Sequence, residues 1–238
     1  MISVCIATFN GEKFVKQQID SILPQLFEGD ELLISDDNST DRTVEIIKQI
    51  ADSRIKLFFN KEQGYTSNFE NALRQASGDI IFISDQDDIW TPNKVEVCLK
   101  ELIHYDIVVS DSYIINEYNE IISDSFFKLR NVKKTCFGNL IKFSYLGCCF
   151  AFRSEILNKA LPFPSNRKFC THDNWLFLVG SFFFKHKVLS DKLIYYRRHD
   201  TNVSTGGLIS KTSTWFKIIY RVYLCFFLIQ RFFINKKN

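Results

Sequence analysis

The first half of the chain alternates short unbroken apolar runs with longer stretches whose apolar residues recur every three or four positions. The runs at 2–8, 31–35, 54–59, 79–84 and 106–110 predict buried strands. Between them, 12–26 places Phe14, Ile19, Ile22, Leu23 and Leu26 at helical spacing, and the stretch from Thr40 carries Val44, Ile47 and Ile50. Residues 66–76 and 92–103 supply two more helices; Pro92 sits in a first turn, where its missing N–H costs nothing. Apolar strands separated by single helices predict an α/β fold with a mostly parallel sheet flanked by helices.

In such sheets ligands bind beyond the carboxyl ends of the strands. Thr8, Phe9 and Asn10 follow the first run, Asp36 and Asp37 the second, and Asp85-Gln86-Asp87-Asp88 the fourth. These groups are far apart in sequence, yet the topology sends them to one crevice. The second half is less regular. Residues 136–144 and 153–161 read as short helices around a buried segment at 147–152. Residues 173–184 read as an aromatic-rich helix opened by Thr171-His172-Asp173, and 193–197 as a strand leading to Arg197-Arg198-His199. There is no internal repeat and no low-complexity linker.

From Thr214 to Ile234 the chain is dense in Trp, Phe, Tyr, Leu and Ile. At 100° per residue Lys217, Arg221, Arg231 and Asn235 share a narrow arc, which Leu224 and Leu228 interrupt. The uninterrupted stretch at 222–229 falls well short of the roughly 20 residues that span a bilayer. Two readings stand: an amphipathic helix lying in a membrane interface, or a helix packed on the protein's own core.

Composition narrows the class. A net charge of +3 gives no basic field, so nucleic acid is not an expected partner. The 24 phenylalanines are more than a core alone explains, which hints at an apolar surface. Seven cysteines, an odd number with no Cys-x-x-Cys pair, argue against a disulfide framework or a zinc site and for a reducing compartment. The chain opens directly on a strand pattern, without the features of a signal peptide.

Three carboxylates within four residues, Asp85, Asp87 and Asp88, repel one another unless a cation or hydrogen-bond donors neutralise them. Oxygen ligands at a strand end suit Mg²⁺ or Mn²⁺; a helix-capping turn before Pro92 is the plainer alternative. Asp36-Asp37 has the same two readings. Asn10-Gly11 stands where a dinucleotide-binding fold carries Gly-x-Gly-x-x-Gly, and there is no Gly-x-x-x-x-Gly-Lys loop. Without a glycine cradle, holding a diphosphate falls to a metal.

The motifs Ser3-Val4-Cys5-Ile6-Ala7-Thr8-Phe9-Asn10-Gly11, Ile34-Ser35-Asp36-Asp37-Asn38-Ser39-Thr40-Asp41 and Ser84-Asp85-Gln86-Asp87-Asp88-Ile89-Trp90 together resemble the family-2 inverting glycosyltransferases of the GT-A fold, over about residues 1–207. The resemblance implies that Thr8, Phe9, Asn10, Asp36, Asp37 and Asp85 bind the nucleotide-sugar donor and that Asp87 ligates the metal. Asn38 replaces the glycine of the usual Asp-Asp-Gly-Ser, a tolerable change because Asn adopts positive φ. Thr171-His172-Asp173-Asn174-Trp175 resembles the segment that supplies the family's general base, here Asp173. Tyr195-Tyr196-Arg197-Arg198-His199-Asp200-Thr201-Asn202 resembles rhamnosyltransferase-like members, which implies His199 as a second metal ligand. His172, Trp175, Arg197 and Arg198 are assigned to the acceptor or the diphosphate.

These readings divide the chain into a nucleotide-sugar-binding half (1–104), an acceptor-binding half (105–207) and a membrane-associating helix (208–238). The expected activity is inverting transfer from a nucleotide-diphosphate sugar, dTDP-rhamnose before UDP-hexose, to a lipid-linked saccharide during surface polysaccharide synthesis. The expected location is cytoplasmic, on the inner face of the plasma membrane. A nucleotidyltransferase and a non-catalytic sugar-nucleotide-binding module are the alternatives.

Overall fold

The computed structural model describes residues 1–133, 135–199 and 213–233. Its elements are β1 (Ile2–Thr8), α1 (Val15–Ile22), β2 (Glu31–Asp36), α2 (Thr43–Gln49), β3 (Ile55–Phe59), α3 (Tyr65–Arg74), β4 (Ile80–Asp85), β5 (Ile89–Trp90), α4 (Lys94–Leu102), β6 (Ile107–Ile115), β7 (Ile121–Ser123), α5 (Phe126–Arg130), α6 (Cys136–Ile141), β8 (Phe150–Arg153), α7 (Glu155–Ala160), α8 (His172–Phe183), β9 (His186–Arg197) and α9 (Thr214–Phe232). All nine strands join one sheet in the order β3-β2-β1-β4-β8-β6-β9-β5, with β7 added to β6.

The first four neighbours, β3, β2, β1 and β4, are parallel. β1, β2 and β4 are buried on both faces, as unbroken apolar runs require, while β3 at the sheet edge is partly exposed, and the expected α/β fold is present. β8 then runs antiparallel between β4 and β6, β9 lies parallel to β6, and β5 pairs antiparallel with β9. The last pairing sets Ile89 opposite Tyr195, which carries the chain just beyond Asp88 to the end of β9.

Two strands are longer than their apolar runs. β6 continues through Ser110-Asp111-Ser112, a polar stretch that is fully buried. Asp111 makes this possible by accepting hydrogen bonds from the Ser125 hydroxyl and from the backbone of Ser112 and Phe127. β9 begins at His186 rather than near 193, because Ser190-Asp191-Lys192 breaks the apolar pattern where its register with β6 shifts. At α1, Val15, Ile19 and Ile22 pack inward.

The end of the sheet away from the strand carboxyl termini is held by Glu31. Its carboxylate accepts from Ser3 Oγ (2.6 Å), from Ser77 N and Oγ (2.9 and 2.8 Å) and from Lys56 Nζ (2.7 Å). It thus links β1, β2, β3 and the turn before β4. Burial alone would raise this carboxyl; the donors outweigh it and hold it at about 2.

α9 packs on the protein through Leu224, Leu228 and Arg231, which bury about 2 kcal/mol of apolar transfer energy per leucine. The arc that looked polar in sequence is the one turned inward. Arg231 donates to Pro162 O and lies over the Trp175 ring, and Arg221 donates to Leu140 O. The outward arc carries Trp215, Val222, Phe226, Ile229 and Phe233, all exposed. Asn235, which the sequence reading placed on the basic arc, lies outside the described residues.

Glu31→Gln is expected to lower stability at pH 7 by about 1–3 kcal/mol. The folded-state pKa is depressed, so the wild-type advantage is complete above the ordinary value of 4.5 and fades as pH falls toward 2. Urea melts of both proteins from pH 7 to pH 2.5 test this. A difference that stayed constant with pH would count against it.

Candidate active site

A cavity of about 720 Å³ opens at the carboxyl ends of the parallel strands. Its wall includes Thr8 and Phe9 after β1, Asp37 after β2, Asp85, Gln86 and Asp87 after β4, and Thr171, His172 and Asp173 at the start of α8. Of the strand-end groups expected to converge, Thr8, Phe9, Asp37, Asp85, Gln86 and Asp87 reach the cavity wall, while Asn10, Asp36 and Asp88 are not part of its lining. Four carboxylates line the cavity (Asp37, Asp85, Asp87 and Asp173), and Arg130 is the cationic side chain facing them among the described residues.

The acidic loop is clamped from three sides. Gln86 exchanges two hydrogen bonds with the Phe9 backbone, at 2.9 and 3.0 Å. Gly11 is required there, because a Cβ would run into the Gln86 amide. Asp88 is fully buried and accepts from Arg197 N at 2.9 Å. The guanidinium of Arg197 donates to Asp87 O (2.7 Å), Asn119 Oδ1 (2.6 Å) and Gln17 Oε1 (2.8 Å) and stacks over Phe14. His199 Nε2 lies 2.8 Å from Asp87 Oδ2.

Charge crowding shifts these acids. Burial, then the Asp87 carboxylate, pushes Asp85 up to about 7. The same causes, with Asp85 added, hold Asp88 well above the usual carboxylate range. Asp88 Oδ2 is buried with no hydrogen-bond partner. Ligand atoms of Asp85, Asp88 and Cys148 fall within 4.8 Å of one another. Burial pushes the Cys148 thiol well above its ordinary range, and the two carboxylates beside it supply oxygen donors of the kind that suit Mg²⁺ or Mn²⁺.

Lys94 completes the arrangement from behind. It is fully buried, donates to Cys148 O at 2.7 Å and lies 4.4 Å from the Trp90 ring centre. Its carbonyl partner belongs to the 3₁₀ turn Gly147–Cys149, which separates the acidic loop from α8.

After β2, Asp37 accepts from Asn60 Nδ2 (2.7 Å) and Gly64 N (2.8 Å), which ties it to the start of α3. Asn38 has φ +62°, the conformation that the usual glycine would supply. Asp173 sits in the first turn of α8, and its Oδ1 accepts from Thr171 Oγ1 and Asn174 N.

Five expectations change. Asp36 is fully buried and accepts from Thr8 Oγ1, Ser39 N and Ser39 Oγ, so it fastens the loop rather than facing a ligand. Asn10 is spent on the same loop: at φ +47° it accepts from Thr40 N. Trp175 is buried in the core, with Nε1 donating to Ala160 O. Arg197 holds the acidic loop instead of meeting a phosphate. Arg198 is away from the cavity lining, and its backbone N–H donates to Ile115 O. The Asp200 to Asn202 end of the Tyr-Arg-Arg-His segment lies outside the described residues.

Sequence reasoning missed Arg130, Phe143 and Tyr145, which line the cavity and which no local pattern marks; Tyr196, inside the Tyr195–Asn202 motif but given no role there, lines it too. Lys94 did leave a signal, a lysine among the apolar positions of the 92–103 helix.

Comparison with known proteins agrees with this architecture. The Escherichia coli UDP-Glc:alpha-D-GlcNAc-diphosphoundecaprenol beta-1,3-glucosyltransferase WfgD is 31% identical over 166 residues, covering 69% of this chain and 64% of its own. The chain therefore spans somewhat less than two thirds of that relative. S. aureus TarS 1–349, solved with UDP-GlcNAc, superposes with TM-score 0.70 at 18% identity, over 98% of this chain and 72% of its own. The mannosyltransferase PcManGT from Pyrobaculum calidifontis, solved with GDP-Man and Mn²⁺, gives TM-score 0.59 at 17% identity, over 97% of this chain and 73% of its own. The sequence itself matches the Glycosyl transferase family 2 profile over residues 3–161, the stretch that builds the parallel strands and the acidic loop. On that match, and with a GT-A fold to carry it, the chain belongs to glycosyl transferase family 2.

Proposed function

We propose that this glycosyltransferase moves a sugar, with inversion, from a nucleotide-diphosphate donor to a saccharide carried on a lipid diphosphate. The observation that carries the reading is the cavity itself, whose wall holds both Asp173 and the acidic loop, with the donor's anomeric carbon assigned to the space they share. Asp173 accepts the proton of the acceptor hydroxyl. That oxygen bonds to the anomeric carbon as the bond to the diphosphate breaks, and the diphosphate leaves with the electron pair. One displacement of this kind needs no enzyme nucleophile. Asp87, with Asp85 beside it and His199 on its Oδ2, is the set that would hold Mg²⁺ or Mn²⁺. A bound divalent ion neutralises the departing diphosphate.

Two donors compete. The His172-Asp173-Asn174-Trp175 and Tyr196-Arg197-Arg198-His199 segments favour dTDP-rhamnose, and the activity for which WfgD is named favours a UDP-hexose. A lipid-linked acceptor accords with the undecaprenol diphosphate in that same name.

The outer face of α9 supports a membrane-surface role. Its outward side chains are apolar from Trp215 to Phe233, and the exposed Phe137 and Ile141 of the neighbouring α6 extend the patch. The sequence continues into Lys236 and Lys237, suited to anionic headgroups. No helix among the described residues is long and apolar enough to cross a membrane, so this helix would lie in the interface.

Asp87→Asn is expected to cut turnover by about 10² or more while the thermal melt in EDTA stays that of wild type. EDTA should silence the wild-type enzyme and added Mn²⁺ restore it; metal-independent turnover would sink the ligand assignment. Asp173→Asn should lose about 10²–10⁴ in turnover and still bind donor within about threefold. Loss of donor binding instead would place Asp173 on the wrong side of the cavity. For α9, Val222→Asp with Phe226→Asp should reduce co-sedimentation with phosphatidylglycerol vesicles about tenfold at unchanged secondary structure. Unaltered sedimentation would remove the membrane role.

A further inference from the structure

His172 is only 6% exposed, and neither ring nitrogen has a hydrogen-bond partner. It nevertheless lines the cavity. Neither nitrogen has accessible surface of its own, and buried polar atoms are almost always paired, so two orphans on one cavity-lining ring point to a partner that reaches them as a ligand packs against this wall. The ring is held rigidly for that purpose. It stacks on Phe69 at 4.0 Å between centres, meets Tyr65 edge-on at 6.0 Å, and abuts Gly147, where a Cβ would come within 2.6 Å of Nε2.

The chemistry of the missing partner follows from the ring. Burial pushes the imidazole down, and Asp173 only partly opposes it, so the ring is neutral, with one donor and one acceptor nitrogen. A diphosphate only accepts and would leave one nitrogen orphaned. Sugar hydroxyls both donate and accept. Asn68 Oδ1, buried in the same wall, also lacks a partner and suits a hydroxyl donor.

Which sugar is meant follows from what the ring leans on. Phe69 and Asn68 lie on α3, and Asn68 Nδ2 donates to Thr8 O at 3.0 Å. The start of α3 is bonded to Asp37. The wall is therefore attached to the nucleotide end of the cavity, while Arg130, Phe143 and Tyr145 form the other side.

We propose that His172, with Asn68 beside it, forms the subsite that recognises hydroxyl groups of the transferred sugar. This rests on the glycosyltransferase reading above and refines it, since it removes His172 from the diphosphate.

The test titrates protein and Mn²⁺, without acceptor, against UDP, dTDP, UDP-glucose, UDP-galactose, UDP-N-acetylglucosamine and dTDP-rhamnose. His172→Phe keeps the stack on Phe69 and deletes both nitrogens. Its affinity for the nucleotide sugar that wild type binds tightest is expected to fall about tenfold, and for the matching free diphosphate no more than about twofold. His172→Gln, which restores a donor and an acceptor, should recover most of the loss. Gly147→Ala, which displaces the ring, should lose sugar binding as His172→Phe does. A merely structural histidine gives the opposite order, with Phe tolerated and Gln harmful. Sugar binding unchanged in His172→Phe, or a parallel loss for the free diphosphate, overturns the inference and leaves the transferase reading standing. Wild-type protein that binds the diphosphates but none of the sugars overturns both.

Discussion

Four carboxylates share one cavity with a single cationic side chain among the described residues, and much of the surrounding structure serves to hold that imbalance in place. Like charges at this range would splay a free loop apart. Here the loop after β4 cannot splay. Gln86 pins it to Phe9, Arg197 grips the carbonyl of Asp87 and the carboxylate of Asp88, and β5 fastens its far end to β9. Burial first, and the Asp87 carboxylate second, push Asp85 up to about 7. Under the proposed function, such a site is preorganised for a cation and an anionic ligand arriving together.

Two buried cations behind the cavity make the arrangement tolerable without filling it. Arg197 and Lys94 are both fully buried, and both are oriented by backbone carbonyls and aromatic faces. Their charge reaches the acids through protein, while the guanidinium donates to Asp87 O, Asn119 and Gln17 and the ammonium to Cys148 O. The positions facing the cavity stay acidic, and a metal has carboxylate oxygens to bind. Placing Arg197 required the chain reversal at β9, so the second half of the fold is as much part of the acidic site as β4.

How much of this was legible in the sequence follows from the range of the interactions. The parallel strands were readable because burial on both faces leaves unbroken apolar runs, and the strand-end rule then gathers Asp37, Asp85 and Asp87 without further information. Buried polar residues were misread for the same reason. Asp36 and Arg197 belong to motifs whose composition looks like ligand chemistry, but their partners are Ser39, Thr8, Gln17 and Asn119, and only Ser39 and Thr8 flank a recognisable motif. The continuation of β6 past Ser110 was hidden because Asp111 is satisfied by Ser125 and Phe127, across a turn that no periodicity records. The wall of Arg130, Phe143 and Tyr145 comes from irregular connections, where position is decided by packing and leaves no pattern.

The orientation of α9 ties the periphery to the chemistry. Helical spacing alone put its basic residues on one arc, and the natural reading turns such an arc to water. The structure turns it inward, because Trp175 on α8 offers Arg231 a ring face and Pro162 offers it a carbonyl. Asn174, next to Asp173, donates to Tyr220 on the same helix at 3.2 Å. The element that carries the proposed base is thus fastened to the element that carries the exposed apolar face. Under the proposed bilayer contact, α9 does more than tether the enzyme: through α8 it fixes the height and angle at which Asp173 meets a hydroxyl on a lipid-borne acceptor. That coupling explains why the helix buries its charges against the domain and leaves its apolar side outward, an arrangement that water alone would disfavour.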